Sequence, residues 1–69
     1  MNNEKVIENL FQQKKEWLEL KVERMKANNH KIDYITHGIM CHLTQIDQTL
    51  VSLVGQQTAI RLWEEFNES

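Results

Sequence analysis

Four residues near the middle of the chain are of the types that bind metal ions. His30, Asp33, His37 and Cys41 are separated by three, four and four positions, so a helix that contained all of them would place them along one face. Only His37 and Cys41 lie well inside the expected helix, and a structural zinc ion needs four ligands, which two copies of the chain would have to supply together. The simpler interpretation is a polar stripe with a buried thiol at an interface, and we predict no metal and no other cofactor.

Cys41 is followed directly by His42, and a thiol beside an imidazole is the pairing that cysteine enzymes use. Neighbouring residues on a helix point about 100° apart, so His37 would be the better-placed base. No glycine-rich loop and no paired carboxylates accompany the thiol in the sequence. We therefore predict that the chain is not an enzyme.

Composition indicates that helices must position these residues. Proline is absent and glycine occurs twice, far less often than strands and hairpin turns require, so the chain is predicted to be all-α. Its 69 residues leave room for one domain over 1–69, whose core is thin unless a disulfide, a metal or an oligomeric interface adds to it. Cys41 alone cannot form an internal disulfide, so association with a second copy is expected.

Large apolar residues recur along the chain at steps of seven, which is the spacing of a coiled-coil seam. The predicted core and dimer seam consists of Phe11, Leu18, Met25, Ile32, Ile39, Leu43, Ile46, Leu50, Leu53 and Ile60. Thr36 lies close to the centre of the same face.

The asparagines at 28 and 29 mark the best break in this pattern, because asparagine tolerates the left-handed conformation of a helix end. We predict helix 1 over about 4–27, a turn at 28–31 and helix 2 over about 31–66. A break near 44–47 and an unbroken rod are the alternatives. Gly55 within helix 2 either lowers helix stability by about 1 kcal/mol relative to alanine or permits a bend. The predicted fold is a two-helix antiparallel hairpin that dimerises into a four-helix bundle or a longer coiled-coil assembly.

The segment from Tyr34 to Ile60 carries one formal charge, that of Asp47. Its histidine, threonine and glutamine side chains make insertion into lipid costly, so we predict no membrane span. A helix with so little charge around its circumference is expected to be covered on several sides, most simply by a second copy. The single thiol and the lack of a charged-then-apolar leader are typical of a cytoplasmic protein.

The C-terminal turns of helix 2 are predicted to reach beyond the end of helix 1, which leaves their apolar side chains without a neighbour in the chain. Aromatic side chains are common among binding hot spots, so Leu62, Trp63 and Phe66 are the predicted partner-binding residues. Contact of the same residues with the second subunit is an equally weighted alternative.

Residues 1–31 hold seven of the eight Lys and Arg side chains, which makes a nucleic-acid-binding regulator the alternative function. The candidate phosphate contacts are Lys14, Lys15, Lys21, Arg24, Lys26 and Lys31. Glutamates lie among them and weaken a phosphate-binding stripe. The favoured prediction is a small non-enzymatic adaptor or inhibitor, bacterial or phage-like in its Asn, Lys and Ile usage, that forms a homodimer and binds another protein.

Overall fold

The computed structural model describes residues 3–68, and every regular element in that range is a helix. The helices are α1 (Asn3–Ala27), α2 (Tyr34–Val54) and α3 (Gln56–Glu68). The all-α prediction is confirmed. The predicted continuous helix over 31–66 is wrong, because the chain breaks at Gly55 and forms α2 and α3 in its place.

The C-terminus of α1 is a left-handed cap at the predicted asparagines. Asn29 and His30 have φ values of 56° and 61°, and the His30 amide donates to the Met25 carbonyl at 2.6 Å. This 6→1 bond is typical of a left-handed helix end, and the same carbonyl also accepts a hydrogen bond from the Asn28 amide at 3.2 Å. The single-rod alternative is therefore wrong.

The connection ends at Asp33, which caps α2. Its Oδ1 accepts a hydrogen bond from the Thr36 amide at 2.8 Å, as expected of an N-cap aspartate. The helix thus begins at Tyr34, three residues later than predicted. The alternative break near 44–47 is also wrong, because Thr44 continues the helix and donates its hydroxyl to the Met40 carbonyl at 3.0 Å.

The first two helices run antiparallel. Arg24 near the end of α1 pairs with Asp33 before α2, and Lys14, further back on α1, pairs with Asp47, further along α2. The ion pair that lies farther from the turn on α1 also lies farther from the turn on α2. This is the pattern of an antiparallel pair.

Gly55 redirects the chain between α2 and α3. Its φ of 85° and ψ of 160° fall in a region that essentially only glycine adopts. The helical hydrogen bonds resume at once, since the Gly55 amide donates to Val51 at 2.8 Å and the Ala59 amide donates to Gly55 at 3.0 Å. One residue therefore produces the whole change of direction.

The core lies along α2 and against the N-terminal half of α1. Its buried apolar residues are Phe11, Ile39, Leu43, Ile46, Leu50 and Ala59, together with the polar Thr36. Five of them belong to the predicted seam, and Leu18 and Met25 of the seam are half-buried.

Three seam residues are exposed. Ile32, Leu53 and Ile60 have exposed fractions of 57%, 45% and 52%. Ile32 precedes α2, and a straight helix drifts about 20° for each step of seven, which carries Leu53 off the buried face. Val54 packs against the core in its place. Ile60 lies beyond the break, so the seam is not one continuous stripe.

Candidate protein-interaction site

The aromatic residues of α3 pack back onto α1. The centroid of the Phe11 ring lies 5.6 Å from that of Trp63 and 5.5 Å from that of Phe66, and Leu62 packs against the same core. The premise that Leu62, Trp63 and Phe66 lack a neighbour within the chain is therefore wrong, because the bend at Gly55 returns α3 to α1. Each of the three is half-buried, so contact with α1 covers part of the surface predicted for docking, and their role in partner binding stays a prediction.

A shallow groove lies between α1 and α2 beyond the part that α3 covers. Its apolar lining comes from Leu18, Met40 and Leu43, and Leu18 connects it to a second depression beside Val22. We call this the α1–α2 groove. Its residues are Lys14, Leu18, Lys21, Val22, Met40, Leu43, Thr44 and Asp47. Apolar side chains between charged ones are the composition of a protein-binding groove.

Lys14 and Asp47 divide this groove from a depression next to α3. The Lys14 Nζ lies 2.9 Å from an Asp47 carboxylate oxygen and 4.3 Å from the centroid of the Trp63 ring. Lys14 therefore contacts an anion on α2 and an aromatic face on α3 at once, a combination that holds the three helices together. Val51 and Ile60 line the depression on the far side of the pair.

The six basic residues of the alternative function do not form one surface. Lys14 and Arg24 are both engaged in ion pairs within the chain, while Lys15, Lys26 and Lys31 are exposed. Lys21 lies in the α1–α2 groove. Phosphate tracking needs cations along a common line, and this distribution does not provide one.

The candidate metal and nucleophile residues are only partly brought together. His37 and Cys41 are both exposed on α2, with 3.9 Å between Nε2 and Sγ. His30 lies in the left-handed turn and Asp33 caps α2, so neither joins them. No group of three or more potential metal ligands occurs within residues 3–68. Cys41 is exposed in the single chain, and burial of its thiol at an interface between copies stays a prediction.

His42 points away from Cys41 and toward α1. Its ring stacks on Trp17 with 4.6 Å between centroids and 8° between planes. Stacking fixes the orientation of the imidazole on the neighbouring helix, which leaves no arrangement of His42 as a base for the thiol.

Asp33 joins the end of α1 to the start of α2. The hydrogen bond that its carboxylate accepts from the Thr36 backbone lowers its pKa below the ordinary 3.8, and the nearby Arg24 guanidinium, whose NH2 lies 2.8 Å from Oδ2, lowers it further. Both interactions favour the charged form of Asp33. The Asp33 carboxylate therefore has a structural role, which is to join the end of α1 to the start of α2.

Thr36 is a core residue that the predicted apolar seam leaves out because it is polar, although it lies seven positions before Leu43 and near the centre of the seam face. Thr36 is 0% exposed, and its hydroxyl makes no well-formed hydrogen bond among the described residues, although it contributes to lowering the pKa of the nearby Asp33 carboxyl. A spacing of three and four counted back from Leu43 reaches Ile39 and then Thr36, so the signal was present in the sequence.

Within residues 3–68 every helix is too short or too polar to cross a bilayer. Comparison with protein-family models, curated proteins and solved structures found no match to the chain.

Proposed function

We propose that the chain is a small, non-enzymatic adaptor or inhibitor of bacterial or phage type that works in the cytoplasm as a homo-oligomeric helical bundle and binds another protein. The surface area of the chain carries this proposal. At 5409 Å², it exceeds by about 800 Å² the roughly 4,600 Å² expected for a compact monomer of 8.3 kDa. The chain is elongated, with extents of 41 × 23 × 20 Å, and the extra exposed area supports association with a second surface.

Exposed apolar side chains account for part of that area and occur on all three helices. The large ones are Val6, Leu20, Val22, Ile32, Tyr34, Ile35, Val51, Leu53 and Ile60. Isolated exposed apolar residues are ordinary on protein surfaces, but Val22 lies in the α1–α2 groove, and Val51 and Ile60 line the depression on the other side of the Lys14–Asp47 pair. This clustering supports a binding surface rather than scattered exposure.

The occupant that fits the groove is an amphipathic helix of the partner protein. The groove lies between two antiparallel helices, and its floor is formed by Leu18, Met40 and Leu43. Lys21 on one side and Glu19 and Glu23 beside Val22 provide charges for the polar flanks of such a helix. Helix-in-groove recognition uses apolar anchors in a row with charged residues at the rim.

The test is affinity capture with two matched variants on α1. Val22→Glu places a carboxylate in the groove, whereas Val6→Glu places one elsewhere on the same helix at a similar exposure, 46% against 49%. Sixteen residues separate the two positions, and at 100° per residue they point about 160° apart. We expect Val22→Glu to lose the captured protein and Val6→Glu to retain it. Equal capture by both variants would contradict the assignment of the groove.

Self-association is tested separately by light scattering behind size exclusion. We expect a dimer at micromolar concentration, because a lone chain leaves its apolar residues in water. A stable monomer over the whole accessible concentration range would contradict the homo-oligomer.

A further inference from the structure

Helices α2 and α3 are continuous in sequence pattern but not in structure. Ile46, Leu53 and Ile60 follow one another at steps of seven through the break at Gly55. Ile46 is buried, whereas Leu53 and Ile60 are about half exposed. A helix that ran straight through Gly55 would align all three in one stripe. The bent chain leaves the second half of that stripe in solvent.

The break depends on the backbone of one glycine and on no side chain at that residue. A Cβ added at Gly55 would meet nothing within 4 Å, so no packing requires glycine there, only its φ of 85°. The first backbone amides of α3 also have no helical carbonyl four residues earlier to donate to, as at any helix start, and Gly55 has no side chain that could cap them. Straightening the chain would give these amides helical hydrogen bonds to the last carbonyls of α2.

The bent form is held by contacts that α3 makes with the rest of the chain. Ala59 is buried against Phe11 and Leu50, and the rings of Trp63 and Phe66 contact the Phe11 ring in tilted arrangements. Straightening would uncover both the apolar face of α3 and the Phe11 surface it rests on. A second copy in the same state offers the identical pair of surfaces, so every lost contact can re-form between copies.

We propose that two copies of the chain exchange α3, so that α3 of each copy packs on Phe11 of the other and α2 and α3 form one helix through Gly55. In the exchanged form Leu53 and Gly55 lie at the junction where the two copies cross, and the straightened helix aligns Leu53 with Ile60. The exchange rests on the self-association part of the proposed function, and it makes Leu62, Trp63 and Phe66 residues of the contact between copies.

The first experiment compares the two glycines. Gly55→Ala penalises the positive φ of the bent form and favours the straight helix, which should shift the ratio of straight to bent chain on the order of 100-fold. Gly38→Ala is the matched control, since Gly38 lies inside α2 and a Cβ there also meets nothing within 4 Å. We expect Gly55→Ala to keep twice the 8.3 kDa chain mass down to lower concentrations than the original chain and Gly38→Ala, which should dissociate together. A folded Gly55→Ala monomer would overturn the exchange.

The second experiment detects exchange in the chain with Gly55 intact. Glu8 and Glu65 line the same crevice between α1 and α3 and both are exposed, so cysteines there leave the core unchanged. One chain carries Glu8→Cys and a differently tagged chain carries Glu65→Cys, both with Cys41→Ser, and they are refolded together with a short bismaleimide. Exchange predicts a cross-link between the two chains. A dimer without that cross-link overturns it, whether or not Gly55→Ala folds.

The two proposals can fail independently. A chain that forms no exchanged dimer but still distinguishes Val22→Glu from Val6→Glu in partner capture overturns the exchange and leaves the binding function in place. A cross-linked dimer that captures no protein does the opposite.

Discussion

Replacing Phe11 is the most direct test of how α3 is held. The Phe11 side chain is 3% exposed and contacts the rings of Trp63 and Phe66 at 5.6 and 5.5 Å. Truncating a buried phenylalanine to alanine typically costs about 3–5 kcal/mol, and each aromatic pair contributes about 0.5–1.5 kcal/mol beyond area burial. We therefore expect Phe11→Ala to lower the free energy of unfolding by about 4–6 kcal/mol.

That loss is comparable to the whole stability of a chain of 69 residues, which at about 0.05–0.15 kcal/mol per residue amounts to roughly 3–10 kcal/mol. Phe11→Ala should be largely unfolded or melt at least about 15 °C lower. Phe11→Leu keeps much of the side-chain volume, so it should lower the free energy of unfolding by a smaller amount that can still be measured. A double-mutant cycle of Phe11→Leu with Trp63→Leu should return a coupling of about 0.5–1.5 kcal/mol.

Urea denaturation followed by far-UV circular dichroism measures these differences. Leu20→Ala is the control, because Leu20 lies on the same helix and is 41% exposed. Its effect should be within about 0.5 kcal/mol of zero apart from helix propensity. If the free energies of unfolding of Phe11→Ala and Leu20→Ala differed by less than about 1 kcal/mol, the packing of α3 on Phe11 would be refuted.

Four further predictions concern single interactions and the alternative function. Thr36→Val should change the free energy of unfolding by less than about 1 kcal/mol in either direction, because the hydroxyl it removes is fully buried without a well-formed hydrogen bond yet lies close enough to the Asp33 carboxylate to lower its pKa; a loss of about 3 kcal/mol or more would contradict this. The lowered pKa of Asp33 means that its contribution to stability is complete above the ordinary value of 3.8 and is lost as pH falls through the lower folded value. Asp33→Asn, which still caps a helix but cannot ionise, should therefore show a flatter stability curve below about pH 4; an unchanged acid transition would refute this. A double-mutant cycle of Lys14→Met with Asp47→Asn should give a coupling of about 0.2–1 kcal/mol that falls with added salt, since Asp47 is 51% exposed; a salt-independent coupling would contradict a screened ion pair. Binding to the partner protein should change far less between about 50 and 200 mM salt than the 10³-fold or greater loss expected of a protein making several phosphate contacts; a loss of that size would favour the nucleic-acid alternative.

Helix formation and the position of the turn were determined locally, which is why the sequence predicts them. The absence of proline and the scarcity of glycine exclude most alternatives to helix. The end of α1 depends on Asn29 adopting a left-handed backbone and on a hydrogen bond spanning six residues. Both are properties of a short segment, so composition and residue type suffice.

The start of α2 depends partly on local residue type and partly on a contact with α1. Asp33 is of a residue type that commonly caps helices, but its exact place depends on which backbone amide its carboxylate reaches. The carboxylate accepts a hydrogen bond from the Thr36 amide and also pairs with Arg24, which is nine residues away in sequence. The second contact exists only once the turn has formed.

The direction of α3 was decided by tertiary structure alone. The seam of steps of seven continues through Gly55 without a shift, so periodicity predicts a straight helix, and a glycine there is compatible with either a straight or a bent chain. The bend prevails because it buries Ala59 and brings Trp63 and Phe66 onto Phe11, contacts between residues about fifty positions apart that no local pattern encodes. The same fact explains why the predicted docking residues are half-buried: their burial depends on where the helix points, and one backbone rotation at Gly55 sets that direction.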